Sequence, residues 1–476
     1  MAATTTTNTG VLFVDLATFS EIESFLHGGS TAITWFVRSV QKSNWFSHVP
    51  IQLRSSGTHD FGQRNASVSL NRSGDYILSV WFRCQVPQVA MGISAAGAPV
   101  ALIFTDASIR WTRNLMHNLF ERVMISFNEL TVAEFDSFFL DFNFQFRCPG
   151  SKRVGYRNMI GDIAQMITPV GPGVALGTGG FFTCPLPFWF CEDSGVALPI
   201  AALPFNDVKI NYNFRTLTEL IVVNGGTLAV GGPAGPGTGQ AGVIGDVVVF
   251  GVNRVPALLD PQTFSQYVVV HNDERVKMGD APRDILMHQV QAVQAAAFRD
   301  VAQRSSFDLR LSHSIKYFYF AARNTSQVGD FSNYTTEPNG TGVDPLAFSS
   351  LLYENTTRLS MGSDYYSFLL PYLLCDAIPD ESGYHVYSYA LQPYVYNPSG
   401  STNYSKLANV SIQHDSSPGA INAAAAAAPV DSAGIPITRA VAGLTVVFPQ
   451  TFAHIYEAVN WNIVRLANGS LGFPTL

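Results

Sequence analysis

Short runs of β-branched and aromatic residues, each closed by a cluster of Gly, Pro, Asn or Ser, recur along nearly the whole chain. This constrains the fold more than any other feature of the sequence. Val208-Lys209-Ile210-Asn211-Tyr212-Asn213-Phe214 alternates apolar and polar strictly, as a half-buried strand must. Residues 75–83, 122–127, 266–270, 315–320 and 385–390 are similarly rich in Val, Ile, Tyr, Phe and Trp. Pro149-Gly150-Ser151, Asn339-Gly340-Thr341-Gly342 and Pro398-Ser399-Gly400-Ser401 read as turns between them. Many short strands with such punctuation predict sandwiches or barrels.

Helical periodicity is scarce. Thr18-Phe19-Ser20-Glu21 fits a capping box, with Thr18 as N-cap and Glu21 at N3. Phe19, Ile22, Phe25 and Leu26 then share one face, and Gly28-Gly29 supplies the stop. A helix this short needs something to dock on. Residues 169–180, 224–245 and 416–436 read as loops inserted between strands. Ala423 to Ala428 could supply a helical turn that Pro429 ends. The densest charge cluster, His271 to Met278, is followed by Gly279 and Pro282, which places a boundary near 278–285. Each side has room for one sandwich of about eight strands with long loops. The two sides share no obvious sequence repeat.

Charge narrows the function. Only 13% of residues are charged, about half the usual ~25%, while 47% are hydrophobic. A large core is therefore available, and a surface this poor in charge suits burial against further copies of the chain. The formal net charge is −7 and no Lys or Arg precedes Arg38, so a basic arm for packaging nucleic acid is not expected. Five cysteines with no CxxC pair argue against a disulfide framework and against zinc, and favour a reducing compartment. MAATTTTNTG lacks a charged leader, and Pro or Gly interrupts both long uncharged stretches, 163–191 and 220–245. A soluble protein is expected.

Candidate chemistry is sparse. Gly237-Thr238-Gly239-Gln240-Ala241-Gly242 matches GxGxxG, but Pro233 and Pro236 precede it and Gly245 follows, so it reads as a loop. His271 with Asp273 and Glu274 reads as a solvated turn. His117 with Glu121 and His454 with Glu457 are equally generic spacings. GxSxG, HExxH and P-loop patterns do not occur. No catalytic, cofactor-binding or metal-binding residues are assigned, and no enzymatic role is expected. Asn-x-Ser/Thr sequons stand at Asn65, Asn71, Asn324, Asn333, Asn339, Asn355, Asn403, Asn409 and Asn468. Without a secretory leader, N-glycans are expected to be absent.

Longer strings carry a resemblance. Phe13-Val14-Asp15-Leu16-Ala17-Thr18-Phe19, Leu26-His27-Gly28-Gly29, Trp45-Phe46, Arg72-Ser73-Gly74-Asp75-Tyr76-Ile77-Leu78 and residues 109–118 (IRWTRNLMHN) resemble iridovirus-type major capsid proteins. Residues 155–161 (GYRNMIG), 186–190 (LPFWF), 194–199 (SGVALP), Asp273-Glu274-Arg275, 352–359 (LYENTTRL), 387–391, 399–404 and 468–474 continue the likeness in order.

The resemblance implies an all-β fold of two consecutive eight-stranded jelly rolls with long loops and a few short helices. The expected division is an N-terminal arm with a short helix (1–30), a first jelly roll (31–278), a linker (279–283) and a second jelly roll (284–476). It implies a structural protein of a large DNA virus, with homotrimeric pseudo-hexagonal capsomers tiling an icosahedral capsid. The expected partners are neighbouring capsomers and minor capsid proteins beneath the shell. An inner membrane lies nearby but is not spanned, and no direct nucleic-acid contact is expected. The virion is the expected location, with assembly in the host cytoplasm. The loops at 224–245 and 323–345 are expected to decorate the outside. A carbohydrate- or host-surface-binding β-sandwich is the alternative reading; a β-rich hydrolase lacks a nucleophile–base set.

Overall fold

Backbone pairing turns the alternating runs into two sets of facing sheets with the same strand order. The computed structural model describes residues 10–93, 108–171, 174–177, 180–224, 227–233, 246–251, 256–280, 282–297, 304–327, 329–337, 340–424, 440–441, 444–445, 450–467 and 469–473. The chain divides into two units, residues up to Trp45 and Phe46–Leu476.

The first unit carries α1 (Gly10–Ala17) and α2 (Glu21–Leu26). The expected single helix capped by Thr18 is corrected here. Two Ser/Thr-x-x-Glu frames overlap in the sequence, and the second one wins. Ser20 is the N-cap of α2, its backbone N–H donating to Glu23 at 3.1 Å. Thr18 Oγ1 instead donates to the Asp15 carbonyl at 2.7 Å, beyond the end of α1.

In the second unit the first set comprises β1 (Phe46–Gln52), β2 (Ala66–Ser69), β3 (Tyr76–Gln85), β4 (Phe120–Phe127), β5 (Leu130–Asp136), β6 (Phe182–Pro185), β7 (Val208–Phe214) and β8 (Leu259–Val270). One sheet runs β1-β8-β3-β6 and the other β2-β7-β4-β5, all antiparallel. Just beyond β1, Arg54–Ser56 crosses over to pair with β2.

The second set comprises β9 (Arg283–Ala297), β10 (Ser305–Asp308), β11 (Ser314–Asn324), β12 (Leu346–Tyr353), β13 (Thr356–Gly362), β14 (His385–Ser388), β15 (Val410–Ser416) and β16 (Phe452–Ala467). Its sheets run β9-β16-β11-β14 and β10-β15-β12-β13. Strand for strand this repeats the first set, so the chain is a double jelly roll. Strict alternation decides which side is core. In β3, Val80, Phe82 and Cys84 are buried between the sheets while Trp81 and Arg83 face outward, half-buried.

Helices fill one connection of the first roll. Between β5 and β6 lie α3's neighbours α4 (Ser137–Arg147) and α5 (Gly150–Ile160), with α3 itself (Leu115–Leu119) just before β4. The turn expected at Pro149-Gly150-Ser151 is corrected: Pro149 is the N-cap of α5, where its missing N–H costs nothing. The charge cluster after β8 is α6 (Asn272–Asp280) rather than a turn, with Asp273 and Glu274 in its first turn and Lys277 in its last.

Two expected loops are also corrected in part. Thr227–Pro233 is a strand, parallel to Asp246–Gly251, which pairs in turn with Val89–Ile93. Pro418–Ala423 is a helix capped by the Ser417 hydroxyl. The Gly237–Gly242 pattern and Ala425–Ala428 lie outside the described residues.

Candidate assembly surface

The two rolls meet where the outward face of β9-β16-β11-β14 is covered by the first roll. In β11, Phe318 and Phe320 point into the second roll, whereas Tyr317, Tyr319 and Ala321 join the hydrophobic core of the first. The covering pieces are β5 and α4. Asp136 ends β5 and caps α4, its carboxylate accepting from the Phe138 and Phe139 N–H groups at 2.9 and 3.0 Å. The helix so aimed lays Phe142 and Phe146 parallel on Tyr319, with ring centroids 5.4 and 5.2 Å away.

Two titratable groups sealed in this junction, His117 and Asp141, are paired. His117 on α3 lies with Nδ1 2.7 Å from Asp141 of α4 and Nε2 2.9 Å from the Tyr156 hydroxyl. Asp141 also accepts from Asn114 at 3.1 Å and from Ser332, beyond β11, at 2.5 Å. Such a Ser–Asp–His chain has the residue types of a hydrolase. However, His117 and Asp141 are fully buried and Ser332 nearly so, so no substrate reaches it and its effect is to fix register between the rolls.

A second group links α4 to β9 and β11. Glu192 accepts from Arg147 and lies against His288 Nδ1, both at 2.7 Å. Burial alone would raise the Glu192 carboxyl, but Arg147 and His288 hold it down at about 2. Lys316 donates to the Val395 carbonyl at 2.9 Å and sits 3.3 Å from His288 Nε2, so His288 is the neutral tautomer with its proton on Nδ1. Burial pushes Lys316 down to about 8.

Glu457 of β16 faces Asp136 across the same junction. Burial and then Asp136 push Glu457 well above the usual carboxyl range, so it is the proton donor of the pair. His454, three residues earlier, points the opposite way, into the second roll. There its ring stacks on His414 with centroids 4.6 Å apart. The spacing that paired His454 with Glu457 thus places them on opposite faces of one strand.

The remaining candidates scatter. His271 lies 3.5 Å from Asp273 at the exposed start of α6. Glu121 is half-exposed, 3.9 Å from Arg64 and away from His117's network. The five cysteines are free thiols. Asn324 and Asn333 are each 1% exposed; the Asn324 amide donates to Gln450 Oε1 and the Thr335 carbonyl, and that of Asn333 to the Glu337 carbonyl. Asn65, Asn71, Asn355, Asn403 and Asn409 are exposed; Asn339 and Asn468 lie outside the described residues. The expectation that 323–345 decorates the outside is corrected: Asn333, Tyr334 and Thr335 are buried, and Ser332 is part of the junction. Nothing in the sequence flagged this junction, because its charged members stand far apart in the chain.

Similarity to known proteins covers both rolls. The family "Major capsid protein N-terminus" matches residues 34–239, and "Large eukaryotic DNA virus major capsid protein" matches residues 274–472. The major capsid protein of Wiseana iridescent virus is 44% identical over 96% of this chain and 92% of its own length. That of Frog virus 3 is 35% identical over 98% and 97%. Among solved structures, the capsid of PBCV-1 aligns over 93% of this chain and 100% of its own, with a TM-score of 0.66 at 17% identity. The Faustovirus major capsid protein aligns over 96% of each chain with the same TM-score at 12% identity.

Proposed function

Since the chain belongs to the major capsid protein family of large eukaryotic DNA viruses and is a structural component of the virion capsid, we propose that three copies form a pseudo-hexagonal capsomer that tiles an icosahedral shell. The observation that carries this reading is the repeated strand order of the two rolls. Rolls of one topology side by side give three copies six similar corners, and a three-fold ring of such pairs closes with a near-hexagonal outline. Negative-stain images of the purified protein test it: three-fold particles with a hexagonal outline are expected, and isolated two-lobed particles would contradict it.

The subunit's role is structural. The enzyme-like constellation around His117 is sealed inside the roll junction. Assembly in the host cytoplasm agrees with five free thiols and no disulfide among them. Residues 1–30 belong to the arm, whose unit runs on to Trp45; the first roll's strands begin at Phe46 and the second roll's at Arg283, inside the 279–283 stretch read as the linker. The arm exposes Phe13 and Leu16 on α1, Ile22, Phe25 and Leu26 on α2, and Phe19 between them. Exposed apolar stripes of this kind need a partner. With no Lys or Arg before Arg38, attraction to anionic lipid or to DNA is unfavourable, which favours a protein partner such as a minor capsid protein beneath the shell.

A further inference from the structure

The connection that carries α4 in the first roll carries a helix in the second. Between β13 and β14, residues 363–374 run as one helix, with a π-helical stretch Tyr365–Leu369 leading into α7 (Leu370–Leu374). Its sequence, YYSFLLPYLL, is apolar all round, a pattern that belongs to helices covered on every side. Only one side is covered. Tyr366 and Leu370 enter the core of the second roll, whereas Phe368, Leu369, Tyr372 and Leu373 are 54, 50, 72 and 62% exposed. Those four side chains present on the order of 450 Å² of apolar surface, more than half of the ~800 Å² each partner gives a standard interface.

The repeated topology says what covers it. In the first roll the strand before the helix, β5, is partly buried against the second roll, and α4 lies on the outward face of β9-β16-β11-β14. In the second roll the corresponding strand, β13, is exposed along almost its whole length. The sheet corresponding to β9-β16-β11-β14 is β1-β8-β3-β6, whose outward residues Trp81, Arg83 and Phe264 are only partly buried, unlike Tyr319. There Trp81 and Phe264, partners in register, stack at 5.9 Å and stay partly exposed. Charge agrees: exposed Asp364 and Asp376 flank the helix, and Arg83 stands beside Trp81 on the sheet.

We infer that residues 363–374 seat on the outward face of β1-β8-β3-β6 of a second copy of this chain, over the Trp81–Phe264 pair. The contact within one chain is thereby repeated between chains, and alternating the two closes a ring of six rolls. This rests on the trimer reading above and names the surface that makes the trimer.

Two experiments on the full-length chain test it. Leu369→Asp with Leu373→Asp is expected to raise the concentration at which trimers half-dissociate by about thirtyfold or more, with the thermal transition of the monomer retained. Because those changes could disturb folding, a photo-reactive benzoylphenylalanine at the highly exposed Tyr372 provides the second readout. Illumination should give covalent multiples of the chain, with the cross-link mapping to peptides containing Trp81 or Phe264. A doubly substituted protein that trimerises as tightly as the wild type, or cross-links to other peptides, overturns this assignment and leaves the trimer intact. A monomeric wild type overturns the trimer as well.

Discussion

Arg275 on α6 grips Asp75 at the start of β3 with two parallel hydrogen bonds, Nε and Nη2 each 2.9 Å from a carboxylate oxygen. Asp75 also accepts from the Val270 N–H at 2.9 Å, so one nearly buried carboxylate ties the end of β8, the helix that follows it and the neighbouring β3. These two residues lie in two of the short strings that carry the capsid-protein resemblance. Asp75→Ala is expected to destabilise the chain by about 1–3 kcal/mol, because the Val270 N–H loses its acceptor. Arg275→Ala, half-exposed and leaving that bond in place, should cost less. Urea unfolding of both variants gives the order.

Phe146 is fully buried and stacks on Tyr319 across the roll junction. Phe146→Ala is expected to cost about 3–5 kcal/mol by opening a cavity between the rolls. Denaturant melts followed by tryptophan fluorescence would measure it. A loss below 1 kcal/mol would mean that the junction is not part of the stable core.

The Glu457–Asp136 pair predicts an alkaline limb. A carboxyl whose folded pKa is raised contributes stability that is full below its unfolded value, near 4.5, and is lost as pH rises toward the folded value. Glu457→Gln keeps a donor and cannot ionise, so its melting temperature should depend less on pH than the wild type's above about pH 5. Parallel curves for the two proteins would refute the shared proton.

The stacked histidines predict the opposite limb. Burial and then His385 hold His414 down at about 3; burial and then His414 and His385 hold His454 well below 6.5. Around them stand Asp344 on His385, Ser349 and Tyr456 on His414, and Ser305 on His454. A lowered folded pKa contributes stability that is present above ~6.5 and is lost as pH falls toward the folded value. His454→Phe, stacking in the same slot between His414 and Phe307, should lose less stability than the wild type between about pH 7 and about pH 4. Calorimetry across that range distinguishes the two.

The N-terminal arm supplies a prediction about assembly. Deleting residues 1–30 removes α1 and α2 and leaves every strand of both rolls in place. Trimers should persist while shells fail to form in a particle assembly assay. A truncated protein that ran as a monomer would make the arm an intersubunit clasp instead.

Strands were legible where one face is wet. The strict alternation of 208–214 gives β7 residue for residue, and residues 75–83 fall almost wholly within β3. Helices were not, and the reason is visible in α4. Its Phe142, Phe144 and Phe146 recur at every second position, a strand-like spacing, because the helix is enclosed by both rolls and has no exposed side to set a 3.6-residue period. The N-cap of α2 was misplaced because two capping frames overlap and only the Thr18–Asp15 bond decides between them. The roll junction was invisible for another reason: Arg147, Glu192, His288 and Lys316 span 170 residues of sequence, and each alone reads as an ordinary charged residue.

The mass of the intact, full-length protein under native conditions at micromolar concentration tests the account most directly. Three copies of the 51.7 kDa chain give about 155 kDa, and that species should dominate. A dominant species at 51.7 kDa would contradict both the capsomer and the surface assigned to it.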